Sequence, residues 1–261
     1  MNLELQDKVV MVTGSTGGIG EAITRAFAAE GCKLAISSTK QEKLDKLLLT
    51  LDIPRERLLT FVVDVTVEDQ VANMVEKTIE HFGSLDVQVN NAGYEGEAAP
   101  VTEQTYERFM AVYNINIFGP MYGMKYACRQ MIKQGSGAIV NIASNGSFVG
   151  AANMSPYVSS KHAVAGLSKC VALEVADKNI RVNCVCPGAV DTPMMRNIEK
   201  SALGDEVSTD EAVKMFSTAY PDGRYAQPNE VADLTLYLAS PRSGHITGSC
   251  IRQDGGLDAM G

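Results

Sequence analysis

Short apolar runs alternate with amphipathic stretches along almost the whole of this 261-residue chain. The runs are Val9–Val12, Lys33–Ser37, Leu58–Val63, Leu85–Asn90, Ala138–Ala143, Ile180–Cys186 and, near the end, Cys250–Gln253. Each has the length and apolar continuity of a buried strand. Helical patterns separate most of them. In Glu21–Glu30, residues Ala22, Ile23, Ala26 and Phe27 recur at helical spacing, and Lys40–Leu51, Val67–Phe82, a long segment from Glu103 to Lys133, and Pro156–Asp177 follow. This alternation predicts an α/β fold whose parallel sheet is covered on both faces. The length suits one domain spanning residues 1–261, large enough for a substantial core. No linker, low-complexity tract or internal repeat interrupts it.

Residues 192–228 depart from the alternation. They are Met-rich and charged, with Gly204, Pro221 and Gly223 as breakers. Ligands of a doubly wound sheet sit at the carboxyl ends of its strands. An insertion after the sixth strand lies there and reads as a substrate lid; the alternative is a surface helical hairpin with no gating role.

The first strand leads into a glycine-rich turn, Thr13-Gly14-Ser15-Thr16-Gly17-Gly18-Ile19-Gly20, and then into a helix. Such a junction suits an anionic pyrophosphate, because amide N–H groups and the positive end of the helix dipole point at it. The spacing is Gly-x-x-x-Gly-x-Gly rather than the Gly-x-Gly-x-x-Gly of longer dinucleotide-binding dehydrogenases.

Composition removes several function classes. The formal net charge of −8 argues against a nucleic-acid surface, which needs a basic stripe. No apolar run is long enough to span a bilayer, and Met1–Asp7 lacks the basic-then-apolar layout of a signal peptide. Six cysteines are scattered at 32, 128, 170, 184, 186 and 250. Cys184 and Cys186 have no second ligand pair nearby, so no metal site is expected and buried, reduced thiols in a cytoplasmic protein are. His81, His162 and His245 lie apart and receive no role.

Candidate chemistry centres on Tyr157 and Lys161, four positions apart, with Ser144 upstream. Positions i and i+4 share a helix face. An ammonium beside a phenol favours the phenolate and lowers a pKa otherwise near ~10, one way to make tyrosine a general acid/base. Asn116 lies in Asn114-Ile115-Asn116-Ile117-Phe118-Gly119-Pro120. In a continuing helix the N–H of residue 120 would bond the carbonyl of 116, but proline has none. Either Pro120 kinks the helix and frees that carbonyl for a water, or Gly119-Pro120 ends one helix and starts another. Asn114, two positions away, should face elsewhere.

Taken together, these residues resemble the short-chain dehydrogenase/reductase family, and the resemblance covers essentially the whole chain. Gly14, Gly18 and Gly20, with Ser15, Thr16 and Ile19 between them, are similar to its cofactor loop. Asp64-Val65 is similar to its adenine-contacting pair, Asn90-Asn91-Ala92-Gly93 to its fourth-strand motif, and Asp254-Gly255-Gly256 to its C-terminal signature. Pro187-Gly188-x-Val190-x-Thr192 resembles its nicotinamide-side loop, and Asn116, Ser144, Tyr157 and Lys161 match its catalytic tetrad. The resemblance implies a doubly wound, Rossmann-like sheet of seven strands, a nicotinamide cofactor and a homotetramer or dimer. It also implies that Lys161 holds the nicotinamide ribose and that Asn116 binds a water linking the lysine to solvent. Tyr157 would then give or take the proton while hydride moves to or from the cofactor. Ser144, far too weak an acid, would orient the carbonyl oxygen.

The end of the second strand bears on which cofactor is used. A carboxylate there would bond a ribose 2′-OH and repel a 2′-phosphate. Ser38 and Thr39 stand in that place, followed by Lys40, which points to NADP(H), with NAD(H) as the alternative. Substrate-wall candidates are Asn145, Met154, Tyr94 and the region Met194–Ile198. They suit a fairly apolar ketone or secondary alcohol. A 3-ketoacyl thioester on an acidic carrier protein is the alternative within this class; Arg129 and Lys133 would contribute basic charge for docking. A non-catalytic nucleotide-binding redox sensor is the alternative outside it, though it predicts erosion of the tetrad, and a lyase or epimerase would carry a larger C-terminal domain.

Overall fold

The computed structural model describes residues 1–260. Seven parallel strands form one sheet in the order β3-β2-β1-β4-β5-β6-β7. They are β1 (Val9–Val12), β2 (Lys33–Ser38), β3 (Leu58–Val62), β4 (Val87–Asn90), β5 (Gly137–Ile142), β6 (Ile180–Pro187) and β7 (Cys250–Gln253). The helices are α1 (Gly18–Ala29), α2 (Gln41–Leu48), α3 (Glu68–Phe82), α4 (Tyr106–Tyr113), α5 (Gly119–Gln134), α6 (Ser155–Val175), α7 (Pro193–Leu203), α8 (Thr209–Ser217) and α9 (Pro228–Ala239). The expected α/β, doubly wound architecture is therefore present. Strand order reverses between β1 and β4, which opens a crevice at their carboxyl ends.

Period-two alternation divides the core. Val10 and Val12 of β1 pack with Ile23 and Phe27 of α1, Leu44 and Leu47 of α2, and Val231 and Leu236 of α9. Met11, between them, faces the other side with Met74 of α3, Met124 and Met131 of α5, and Val175 of α6. Strand residues buried on both faces read as continuous apolar runs. The exceptions form a polar chain under the crevice. Gln88 donates to Asn90 (2.8 Å), Asn90 to Asn141 (2.7 Å) and Asn141 to Ser168 of α6 (2.7 Å). Those bonds pair the buried amides of Asn90 and Asn141 and pin α6 to the sheet, while Gln88 Oε1 has no partner among the described residues.

The long helix expected over Glu103–Lys133 is three pieces. A short 3-10 turn at Val101–Glu103 precedes α4, and five residues of π-helix, Asn114–Phe118, separate α4 from α5. Gly119 N–H bonds back to the carbonyl of Asn114, and Pro120 supplies no donor for the next turn. The irregularity at Asn116 is thus a π-bulge inside a nearly continuous helix, rather than a simple stop and restart. No helix of the described residues is long and apolar enough to cross a membrane.

Candidate active site

The crevice holds a cavity of about 480 Å³ running from the end of β2 to the start of α7. Its floor is the turn between β1 and α1. Gly14 adopts φ +64°, where a side chain is strained, and a Cβ there would lie 2.8 Å from the Cα of Ala92. A Cβ on Gly20 would collide with the carbonyl of Gly14. Asn91 locks the turn, donating from Nδ2 to the carbonyls of Thr13 (3.1 Å) and Gly14 (2.9 Å). A cradle with no room for a side chain at Gly14 or Gly20, at the start of a twelve-residue helix, fits a pyrophosphate group.

Gly14, Thr16, Gly18, Ile19, Gly20, Ser38, Thr39, Asp64, Val65, Asn91, Ala92, Gly93, Tyr157, Lys161, Thr192 and Met194 all line this one cavity. Several expected residues do not. Ser15 is buried, and its hydroxyl donates to the carbonyl of Ser37 at 3.0 Å, so it anchors the turn from beneath. Pro187 ends β6 in the interior, and Val190 packs in the core and bridges to Ala226. Gly188 faces a separate cavity of about 320 Å³ together with Tyr220 and Asp254–Gly256. Asn145 is buried with Oδ1 unpartnered among the described residues, and Met154 precedes α6 outside the cavity lining. Lys40 is exposed where α2 begins, and the cavity is lined instead by Lys43, one turn further on. Gly17, Val63, Tyr94, Ile115, Ile142, Ala143 and Pro193 complete the lining. The offset of Lys43 from Lys40 is one helical turn, a signal available once the start of α2 is known.

The tetrad residues converge from three elements: the π-turn, the segment after β5, and α6. A Cβ placed on Gly93 would lie 3.6 Å from Asn116 Oδ1 and 3.8 Å from Lys161 Nζ. One placed on Gly146 would lie 3.4 Å from Ser144 Oγ and 3.8 Å from Tyr157 Cε1. Asn116, in the π-bulge, is 1% exposed. Its Oδ1 accepts from Tyr94 N–H (2.8 Å), and its Nδ2 donates to Tyr94 O (2.9 Å) and Ser160 Oγ (2.9 Å). Ser144, just after β5, accepts from Gly146 N–H at 3.0 Å. Both Tyr157 and Lys161 project from α6.

Electrostatics differ from the expectation. Burial holds the Tyr157 phenol above its ordinary pKa; a hydrogen bond from Ser144 opposes this and the charge of Glu95 adds to it. Lys161 makes no hydrogen bond to the phenol in this state. Its Nζ lies 5.5 Å from the centroid of the tyrosine ring and donates instead to the carbonyl of Ile142 at 3.0 Å. Lys161 itself is buried, which brings its pKa down to about 8. The pair is therefore a desolvated acid beside a desolvated base, and the phenol is not acidified by sequence spacing alone.

All six cysteines are unpaired. Cys184, Cys186 and Cys250 pack together behind Ala143 and Val164. Among the described residues no group of histidine, cysteine or carboxylate side chains is arranged to hold a metal.

The family model described as enoyl-(acyl carrier protein) reductase matches residues 14–258. The 3-oxoacyl-[acyl-carrier-protein] reductase of Thermotoga maritima is 36% identical over 255 residues, covering 98% of this chain and 99% of that protein. Levodione reductase of Leifsonia aquatica is 36% identical over 255 residues, covering 97% and 95%. A crystal structure of levodione reductase has a TM-score of 0.92 at 35% identity, over 97% of this chain and 98% of that one. An actinorhodin polyketide ketoreductase variant with NADPH has a TM-score of 0.90 at 36% identity, over 96% and 97%. With these similarities running almost end to end, this chain belongs to the short-chain dehydrogenase/reductase family of oxidoreductases.

Proposed function

We propose that this protein is an NADP(H)-dependent reductase of ketones, or dehydrogenase of the corresponding secondary alcohols. The observation that carries the reading is that Tyr157 and Lys161 line one end of a cavity whose other end is a glycine cradle, with Ser144 and Asn116 packed beside them behind Gly146 and Gly93. The dinucleotide, when bound, supplies or accepts the hydride. Gly14, Gly18, Gly20 and the first N–H groups of α1 would hold its pyrophosphate. Asp64 and Val65 would border its adenine end. Tyr157 passes the proton to the substrate oxygen, or takes it in the reverse direction. Ser144 donates a second hydrogen bond to that oxygen and steadies the charge that develops on it. Lys161, an ammonium with an apolar surround, favours the phenolate at the moment the proton leaves. Asn116 holds the Tyr94 backbone and α6, through Ser160, in register with this group.

NADP(H) is favoured because Thr16, Ser38, Thr39 and Lys43 line the cavity at the end of β2, with no carboxylate on that strand end. Thr16 and Ser38 share a 2.8 Å hydrogen bond, so both hydroxyls are oriented there. Lys43 supplies the positive charge that a 2′-phosphate requires. A structural relative carries NADPH. Residues 192–228 act as a lid: α7 and α8 share a small apolar core of Met195, Ile198, Val213 and Phe216. Unpaired thiols suit a cytoplasmic setting. The exposed apolar side chains Leu173, Ile132 and Tyr106 on α4–α6 suit self-association into a dimer or tetramer.

A second reading, reduction of 3-ketoacyl thioesters, is favoured by similarity to the Thermotoga protein. One panel separates the two. NADPH and NADH oxidation is followed at 340 nm against cyclic ketones, open-chain ketones and acetoacetyl thioesters. Turnover of simple ketones with NADPH supports the proposal, and turnover confined to thioesters replaces it with the second reading. Nucleotide binding without turnover of any carbonyl contradicts both.

A further inference from the structure

The rim of the cleft carries a carboxylate that the proton and hydride steps do not use. Glu95 directly follows Tyr94, which lines the cavity from the β4 side. Asn197 lies one turn beyond Met194, which lines it from α7. Asn197 Nδ2 donates to Glu95 Oε1 at 2.9 Å, joining the two walls over 102 residues of sequence. Glu95 Oε2 has no protein donor among the described residues. The preceding residue, Tyr94, is held at both backbone groups by Asn116, which fixes where the Glu95 side chain leaves the main chain. Its charge reaches the reacting phenol, since Glu95 is among the groups that raise the Tyr157 pKa.

We propose that Glu95 is a specificity-determining residue that selects neutral substrates bearing a hydroxyl donor next to the reacting carbon, with Asn197 positioning it. This rests on the hydride-transfer function proposed above. A carboxylate only accepts hydrogen bonds. A hydroxyl on the neighbouring carbon can donate to Oε2 while the reacting oxygen meets Ser144 and Tyr157. An ether or second carbonyl there turns a lone pair toward the carboxylate, and an anionic group adds charge repulsion. Sites built to pair a substrate hydroxyl reject the analogue without it far more strongly than apolar pockets reject a missing methylene.

Three ring ketones of one skeleton test this: 2-hydroxycyclohexanone, 2-methoxycyclohexanone and cyclohexanone, each with NADPH. Wild-type protein should show kcat/KM for the hydroxyketone at least about tenfold above either partner. Glu95→Leu should bring the three values within about twofold while still reducing cyclohexanone, and Glu95→Gln, whose amide oxygen still accepts, should fall between. Asn197→Ala should raise KM for the hydroxyketone more than it lowers kcat. NADPH binding by fluorescence reports folding of each variant. Turnover of all three ketones at similar kcat/KM by wild-type protein, or an unchanged preference in Glu95→Leu, overturns the role of Glu95 and leaves the oxidoreductase reading standing. No turnover of any ketone by wild-type protein overturns both.

Discussion

Lys161→Met should make the ligand-free protein more stable at neutral pH. The lysine is buried, with the carbonyl of Ile142 as its hydrogen-bond partner. A folded-state pKa of about 8 against an ordinary 10.5 means that keeping it charged in the fold costs about 3 kcal/mol. Methionine fills a similar volume without charge, but it leaves the Ile142 carbonyl unpaired at a cost of about 1 kcal/mol. The net gain at pH 7 is about 2 kcal/mol. Its pH dependence has a definite sign. Below pH 8 the lysine is charged in both states and the penalty is complete. Between 8 and 10.5 the unfolded chain holds a proton that the folded chain has released, so wild-type stability rises relative to the variant. Above 10.5 both states are neutral and the advantage of methionine is gone. Urea unfolding of both proteins at pH 7, 9 and 10.5, without nucleotide, measures the difference directly. A variant no more stable than wild type at pH 7, or an advantage that grows with pH, refutes the reasoning. The same substitution should abolish most turnover, which would make Lys161 a residue kept for chemistry at the expense of stability.

Other consequences are equally specific. Lys43→Glu should lower kcat/KM with NADPH by about tenfold or more and leave NADH nearly unaffected, whereas Lys40→Glu should change little; equal losses at both positions would contradict the placement of the phosphate site. In ligand-free protein, the ultraviolet difference between wild type and Tyr157→Phe should show a phenol that ionises above its ordinary pKa of 10.0; ionisation near neutrality would show that the lysine acts before any ligand arrives. Arg181 donates to the carbonyls of Leu238 (2.6 Å), Ala239 (3.2 Å) and Ser240 (2.9 Å) at the end of α9, so Arg181→Met should cost about 2–4 kcal/mol in urea unfolding. A loss below ~0.5 kcal/mol would show that solvent replaces it.

The sheet was legible because its strands are buried on both faces, and apolar runs such as Val9–Val12 have few other uses in a chain of this length. The turn from Gly14 to Gly20 was legible for a similar reason: steric demands at that junction leave glycine as the residue that fits, so chemistry and spelling coincide. The helix from Glu103 to Lys133 misled because a π-turn has no composition of its own; only Pro120, which removes one donor, hinted at the break. Ser15 lies within the loop motif but turns inward, a choice made by the neighbouring carbonyl of Ser37 and invisible without the fold. The tyrosine–lysine spacing placed both residues on one face of α6, yet spacing does not report depth. Burial moves both pKa values, and it pushes that of the phenol up rather than down. Glu95 and Asn197 meet only because loops after β4 and β6 flank the same crevice, a tertiary fact with no local signature.

The central claim is that the Tyr157 hydroxyl carries the proton that accompanies hydride transfer. Rapid-mixing measurement of NADPH consumption at 340 nm, in wild type and Tyr157→Phe, with nucleotide affinity measured on the same samples, tests it most directly. The account predicts unchanged NADPH affinity and a transfer rate lower by about a hundredfold or more in the variant. Transfer within a fewfold of wild type, with NADPH bound equally well, would contradict it.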